Sequence, residues 1–240
     1  MTGRPITLLQ LYPRDMNIYG DFGNTLVIKR RLEWSGYEVN LISYNPGDKF
    51  PDGVDIIVGG GGQDSGQLKI QADLLKIGPK LQELADDNTP MLMICGLYQL
   101  FGKFFKTASG EIIQGIGLLD IETYGKSERL IGNIITISDE FGEIIGYENH
   151  SGQTYLGEGV KPLGRVRLGA GNNIEDDTEG AIYKNVIGSY LHGSLLPKNP
   201  NIADFLIEKA VTRKYGAFYS EPVGDCYVDL ARRVASKRPR

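Results

Sequence analysis

The chain has 240 residues, of which 41% are hydrophobic and 23% are charged, and this balance excludes a wholly disordered protein. Its formal net charge of -4 differs from the basic excess that is typical of nucleic-acid-binding proteins. Two cysteines exclude a disulfide scaffold, and two histidines are too few for a zinc cluster without help from carboxylates. No apolar stretch approaches the roughly 18 consecutive residues of a membrane span, so we expect a cytoplasmic protein without a transmembrane segment.

The first hundred residues alternate between strand-like and helix-like segments. Apolar runs of strand length lie at 6–12, 38–43, 54–58 and 91–94, and helical patterns separate them. We expect Pro79 to break one of these helices into two pieces. Alternation of this kind predicts a mostly parallel sheet with helices on both faces.

The second half of the chain is predicted to be an antiparallel extension of the same domain. Short strand-like segments punctuated by glycine lie at 117–124, 130–138, 143–149, 166–168 and 181–190. A last helix follows from Pro200 onward. No linker-like stretch and no internal repeat divides the chain, so we predict one α/β domain.

A cysteine follows the predicted strand 91–94 and is itself followed by glycine and a helix-like segment. Such a sharp turn lifts the side chain of Cys95 out of the sheet, and Gly96 lacks the Cβ that would crowd it. The start of the helix favours the thiolate form of the sulfur, because the helix dipole is positive there. An unreactive core cysteine is the alternative for this segment taken alone.

A histidine stands at the end of another predicted strand. Because the C-terminal ends of strands in an open α/β sheet converge on one crevice, we expect His192 to meet Cys95 there. The imidazole would then be the basic partner that a nucleophilic thiol needs. A purely structural histidine is the alternative reading of His192, and His150 is the competitor for the role of base.

Four consecutive glycines, 59–62, follow the third predicted strand. Their backbone N–H groups are able to point into a crevice and stabilise a developing negative charge. A phosphate-binding loop is the alternative, but the run lacks the spaced G-x-G-x-x-G pattern and no Gly-Lys-Ser/Thr sequence follows it. We therefore predict an oxyanion hole, with the backbones of Gly61, Gly62 and Gly96 as its donors.

Together these motifs resemble the class I glutamine amidotransferases, in particular their CobB/CobQ-type branch. The resemblance covers residues 5–205 and leaves a C-terminal helix and tail at 206–240. It is carried by the segments 60–64, 95–99, 115–120, 148–154 and 190–200. It implies a single amidotransferase-like α/β domain, with a mostly parallel central sheet flanked by helices and an antiparallel extension.

The resemblance assigns a role to each matching residue. Cys95 corresponds to the nucleophile that attacks the side-chain amide of L-glutamine and forms a thioester. His192 corresponds to the histidine that protonates the departing ammonia and activates the hydrolytic water. Arg129 stands where relatives bind the substrate, and a guanidinium fork suits the α-carboxylate of glutamine; an exposed loop arginine is the alternative.

Within this branch, stand-alone chains of this size resemble the glutaminase subunit of lipid II isoglutaminyl synthase in peptidoglycan synthesis. The resemblance implies a Mur-ligase-like partner, MurT, that binds ATP and Mg²⁺, and it implies no cofactor and no metal in this chain. It also implies a location at the inner face of the membrane, through the lipid II substrate. A subunit for a corrinoid-type acceptor and a catalytically silent module that stabilises a partner are the alternatives.

Ser194 departs from the family pattern. Ordinary class I enzymes have a glutamate two residues after the histidine, and a serine cannot supply the negative charge that orients an imidazole. The resemblance implies that an aspartate of the partner completes the triad in trans. If the chain orients His192 by itself, an acid distant in sequence, such as Glu148 or Asp64, is required.

Overall fold

The strands of the computed structural model form two sheets within the described residues, 4–192, 194–219 and 223–239. In chain order the strands are β1 (Pro5–Leu11), β2 (Glu38–Tyr44), β3 (Ile56–Gly59), β4 (Met91–Ile94), β5 (Phe104–Lys106), β6 (Ile112–Gln114), β7 (Ile121–Ser138), β8 (Gly142–Leu156), β9 (Gly164–Leu168), β10 (Thr178–Glu179), β11 (Ala181–Tyr183) and β12 (Val186–Ser189).

The first sheet is parallel except at one edge. Its order is β11-β12-β4-β3-β1-β2, and β11 pairs antiparallel with β12. Every residue of β3, β4 and β12 is buried, as expected for strands covered on both faces. The parallel alignment puts the C-terminal ends of these three strands side by side, and the predicted site lies at that edge.

The second sheet is built around a long antiparallel ribbon of β7 and β8. Where the sequence predicts separate strands at 117–124 and 130–138, β7 is one strand whose register shifts between Gly125 and Leu130. The prediction of one strand at 181–190 is also wrong. Here one predicted strand is in fact two, because a turn at 184–185 divides it into β11 and β12. Lys184 in this turn has φ +51°, which a continuous strand does not allow. The turn sends β12 back beside β4 in the first sheet.

The helices of the described residues are α1 (Phe22–Trp34), α2 (Asp64–Asp86), α3 (Gly96–Phe101), α4 (Leu195–Lys198), α5 (Pro200–Tyr215) and α6 (Cys226–Ala235). The predicted break at Pro79 is wrong, since α2 runs through it. Leu74, Ile77 and Leu81 form a buried apolar face on both sides of the proline, and this burial offsets the missing backbone hydrogen bond. None of the described helices is long and apolar enough to cross a membrane.

The C-terminal helices are attached to the body of the fold through charged side chains. Arg31 of α1 is buried and donates hydrogen bonds to Asp204 at 2.6 Å and to Asp225 at 2.8 Å, just before α6. Burial opposes the charge of Arg31, but the two carboxylates outweigh it and raise the pKa. The expected boundary between 5–205 and 206–240 falls within α5, which is continuous there.

Candidate active site

Cys95 forms a strained connection between a strand and a helix, as the sequence predicts. β4 ends at Ile94 and α3 begins at Gly96, so Cys95 alone makes the turn. Its backbone has φ +50° and ψ −103°, a conformation that residues with a side chain rarely adopt. The side chain is 7% exposed and borders a cleft of about 390 Å³. Strain of this kind clusters at functional sites, so the geometry favours a nucleophile over an unreactive core cysteine.

Gly96 and Gly62 leave no room for side chains beside Cys95. A Cβ on Gly96 would lie 2.7 Å from Met16 Cε and 2.9 Å from Gly62 N. A Cβ on Gly62 would meet Met16 Sδ and would lie 3.0 Å from the carbonyl oxygen of Asp15. The backbones of the two glycines therefore lie against each other next to the thiol, a placement that suits a pair of oxyanion donors. Their catalytic role stays a prediction.

Gly61 lies between Cys95 and His192. A Cβ on Gly61 would be 3.1 Å from Cys95 Cβ and 2.8 Å from His192 Cε1, so both side chains approach the same backbone position. The structure thus brings together the two residues expected to meet. Gly61 itself does not fit its predicted part in the oxyanion hole. Its N–H donates a 2.7 Å hydrogen bond to Asp21 Oδ2 and is therefore not available to substrate.

His192 is positioned by the end of β12. Ser189 pairs in register with Ile94, so the segment that follows β12 runs beside Cys95. The backbone N–H of His192 donates a 2.7 Å hydrogen bond to the carbonyl oxygen of Tyr147 in β8. The ring is 1% exposed, and the Tyr19 ring packs edge-on against it with centroids 4.6 Å apart. These contacts hold the imidazole in place and keep water away from it.

The surroundings of His192 favour its protonated form. Burial by itself would lower the pKa of the imidazole, but the electrostatic and hydrogen-bond interactions with Cys95 and Asp21 outweigh burial and raise the pKa to about 10. The arrangement therefore suits an imidazolium beside a thiolate, in which the sulfur is the nucleophile and the ring holds the proton to be transferred.

A carboxylate that is not identifiable from the sequence faces His192. Asp21 is buried, and its Oδ1 lies 3.4 Å from His192 Nδ1. Because it stands directly before α1, its sequence position is that of an ordinary helix N-cap, although its side chain makes no capping hydrogen bond. Of the acids considered from the sequence, Asp64 begins α2 and Glu148 accepts two backbone N–H groups from the loop after β9. No local pattern connects Asp21 with a histidine so distant in the chain.

His150 borders the cleft that Cys95 also borders, and its character differs from that of His192. Its Nδ1 lies 2.6 Å from the carbonyl oxygen of Gly152, and its ring stacks on Tyr190 with centroids 3.6 Å apart. Burial lowers the pKa of His150 to about 3, so this ring stays neutral at physiological pH. The structure therefore favours His192 as the group that exchanges protons with the thiol, whereas His150 is part of the cleft wall.

Arg129 lies on the wall of the cleft that Cys95 borders. The irregular register of β7 between Gly125 and Leu130 contains this residue. Its Nε donates a 2.6 Å hydrogen bond to Asn149 Oδ1, and one terminal nitrogen lies 3.3 Å from the Tyr19 hydroxyl. A positive charge and a candidate nucleophile thus face one space, an arrangement that suits a substrate with a carboxylate at one end.

A buried hydrogen-bond network supports the turn at Cys95. Gln99 Oε1 accepts a 2.6 Å hydrogen bond from Gln67, and its Nε2 donates to the Tyr190 hydroxyl at 3.0 Å. That hydroxyl also shares a 2.7 Å hydrogen bond with Thr154 Oγ1. The network joins α2, α3 and β8 behind the thiol and fixes its position. These hydrogen bonds connect segments that are distant in the chain, so no local sequence pattern reveals them.

This fold and this pair of residues define a class of protein. The family of CobB/CobQ-like glutamine amidotransferase domains matches residues 7–200, a range that contains Cys95, Arg129 and His192. The chain belongs to the CobB/CobQ-like glutamine amidotransferases, as the sequence motifs predict.

Particular relatives are similar over most of their length. The chain is 42% identical to the lipid II isoglutaminyl synthase (glutamine-hydrolyzing) subunit GatD of Staphylococcus aureus, over 87% of this chain and 86% of the relative. It is 39% identical to the subunit of the same name from Streptococcus pneumoniae, over 88% and 82% of the two chains. A crystal structure of a glutamine amidotransferase superimposes with a TM-score of 0.57 at 17% identity, covering 84% of this chain and 98% of the other. That last likeness concerns the fold alone.

Proposed function

We propose that the chain is the glutaminase subunit of lipid II isoglutaminyl synthase and hydrolyses L-glutamine to glutamate and ammonia. The observation that carries the proposal is that Cys95 and His192 both approach Gly61, while Cys95 and Arg129 lie on the wall of one cleft. The two GatD relatives support this particular reaction, because the similarity covers more than four fifths of each chain.

The reaction proceeds through two acyl transfers. The Cys95 thiolate attacks the side-chain carbonyl carbon of glutamine, and the carbonyl oxygen becomes an oxyanion near the backbones of Gly62 and Gly96. When the C–N bond breaks, His192 gives its proton to the nitrogen. Ammonia departs, and the γ-glutamyl group remains on Cys95 as a thioester. His192 then takes a proton from water, the resulting hydroxide attacks the thioester, and cleavage of the C–S bond releases glutamate and the thiolate.

The ammonia is passed to a Mur-ligase-like partner, MurT. That subunit uses ATP and Mg²⁺ to convert the α-carboxylate of D-glutamate in the lipid II stem peptide into the amide of D-isoglutamine. No cofactor or metal binds in this chain under the proposal. The site of action is the cytoplasm, next to the membrane that holds lipid II.

The partner is expected to accelerate glutamine hydrolysis by adding an aspartate beside His192. In the chain alone, the 3.4 Å separation of Asp21 Oδ1 from His192 Nδ1 exceeds the usual length of a charge-assisted hydrogen bond, about 2.7–2.9 Å. Steady-state glutamate release should therefore be slow for the isolated chain and should rise when the partner is added. Changing the candidate aspartate of the partner to asparagine should remove most of the increase.

Equal rates for the isolated chain, the assembled pair and the pair with the altered partner would contradict completion in trans. The acceptor is tested separately, by incubating the pair with ATP, glutamine and lipid II and looking by mass spectrometry for an amide in place of the stem-peptide carboxylate. If glutamate is released but lipid II stays unmodified, the glutaminase assignment is supported and lipid II is wrong as the acceptor.

Replacing Arg129 with alanine should raise the KM for glutamine, by roughly 10-fold or more. The reason is that the guanidinium contacts a carboxylate that does not react, so ground state and transition state lose the same interaction. Steady-state kinetics of glutamate release check this, with Arg167→Ala as a control because Arg167 is an exposed arginine of β9 paired with Glu143. If KM and kcat both keep their wild-type values, Arg129 does not bind substrate.

A further inference from the structure

We propose that Asp21 is the carboxylate that orients His192 in the isolated chain, which has Ser194 where ordinary class I enzymes have a glutamate, before the partner adds its own aspartate beside the ring. Asp21 is a positioning residue, because it faces the imidazole and acts on the thiol only through it. The proposal rests on the proposed glutaminase function for its kinetic consequence, whereas its effect on the Cys95–His192 pair does not depend on which amide is hydrolysed.

Both oxygens of Asp21 are used inside the site. Oδ2 accepts the N–H of Gly61 at 2.7 Å, and Oδ1 faces His192 Nδ1 at 3.4 Å. The side chains of Asp21 and His192 are each only 1% exposed, so solvent screens their interaction weakly. A buried carboxylate held by a backbone donor is a fixed negative charge beside the ring, the arrangement that orients a catalytic imidazole.

Ser194 explains how Asp21, an acid near the start of the chain, is held beside the His192 ring. Its hydroxyl donates a 2.8 Å hydrogen bond to the carbonyl oxygen of Gly20, the residue before Asp21. A Cβ on Gly23 would collide with the Ser194 hydroxyl, so the loop lies directly against this residue. The residue that replaces the family glutamate therefore binds the loop that carries the substitute carboxylate.

A second contact holds the same two segments together. The N–H of Leu196 donates a buried 2.9 Å hydrogen bond to Asn24 Oδ1 in the first turn of α1. Ser194 and Leu196 thus attach the segment after His192 to the start of α1 at two points. The distance from Asp21 to His192 is consequently set by the packing of the fold.

The chemical consequence concerns which nitrogen carries out catalysis. Asp21 stabilises a proton on His192 Nδ1, which leaves Nε2 to exchange protons with the thiol, the leaving group and water. Among the described residues Nε2 has no hydrogen-bond partner that would compete for it. The titratable groups that surround the ring are Asp21 and Tyr19 before α1, Cys95 after β4 and His150 in β8. Of these, Asp21 provides the negative charge on the Nδ1 side.

The test is Asp21→Asn in the isolated full-length chain, with Cys95 alkylation by iodoacetamide followed as a function of pH. Asparagine keeps the shape and the acceptor for Gly61 but loses the charge. The imidazolium is then less stable, so the thiolate–imidazolium pair forms less readily and the midpoint of alkylation should move up by about one pH unit or more. The kcat for glutamate release should fall by ~10²-fold or more, with a smaller change in KM.

Two other variants provide the comparison. Ser194→Ala removes only the hydroxyl that holds the Asp21 loop, so it should move the alkylation midpoint in the same direction by a smaller amount. Asp15→Asn removes a carboxylate of a nearby segment that pairs with Lys69, and it should leave the midpoint unchanged. In a His192→Ala background, Asp21→Asn should have no further effect on the midpoint, because Asp21 acts through the ring.

An unchanged midpoint in Asp21→Asn would overturn the proposal and leave the partner subunit as the source of the charge. The same conclusion follows if Asp21→Asn fails to fold and Ser194→Ala, folded, alkylates like the wild type. Failure of the proposed function would look different, because the wild-type chain would then release no glutamate while the shift in alkylation remained.

Discussion

Replacing Cys95 with alanine is expected to abolish glutamine hydrolysis, with a loss of at least ~10⁴-fold in kcat and little change in the fold. Alanine removes the sulfur that forms the thioester, and no other described group takes its place at the turn. Alanine fits the same backbone position and removes only the sulfur atom from a buried residue that is 7% exposed. Glutamate release and the unfolding transition of the variant measure the two effects separately.

The chain contains its own control for this experiment. Cys226 is exposed at the start of α6, so Cys226→Ala should retain full glutaminase activity. A diazoketone analogue of glutamine should alkylate Cys95 and leave Cys226 unmodified, because only Cys95 borders the cleft. Substantial glutamate release by Cys95→Ala would remove this residue from the role of nucleophile.

Replacing His192 with alanine should lower kcat by ~10³-fold or more. The variant loses the group that protonates ammonia and activates water, and general acid–base catalysis of this kind contributes about 10²–10⁴-fold. It also loses the imidazolium that stabilises the thiolate, so the two effects combine. The rate of glutamate release under saturating glutamine measures the loss.

His150→Ala is the comparison for the second prediction. Its ring stacks on Tyr190 and stays neutral, so its removal should disturb the cleft wall and cost activity to a lesser degree. An inactive His150→Ala together with an active His192→Ala would reverse the assignment of the base.

The alternation of strand and helix predicts β1 to β4 of the first sheet, because strands of a parallel sheet are apolar runs separated by helices. It does not predict β11 and β12, which were expected in the antiparallel extension and instead complete the first sheet. The errors lie where tertiary pairing decides the outcome. The apolar face of α2 carries the helix through Pro79, and the long pairing of β7 with β8 extends a strand across 125–130. Neither effect is visible in a short window of sequence.

The site shows the same division between local and distant information. Cys95 and His192 are evident from the sequence, since each stands next to glycine at a strand end. Asp21 and the Gln67–Gln99–Tyr190 network are not, because their meaning comes from partners that only the folded chain brings close. Gly61 lies beside Cys95 and His192, but the sequence does not show that the nearby Asp21 carboxylate accepts its N–H.

The position of β12 inside the first sheet has a consequence for biosynthesis. β4 pairs with β3 on one side and with β12 on the other, yet all of β5 to β11 are made before β12 leaves the ribosome. Until then the apolar strand Met91–Ile94 has an open edge, which is the kind of edge that pairs with other chains. The same order keeps Cys95 without its histidine until β12 is in place, so an unfinished chain does not release ammonia.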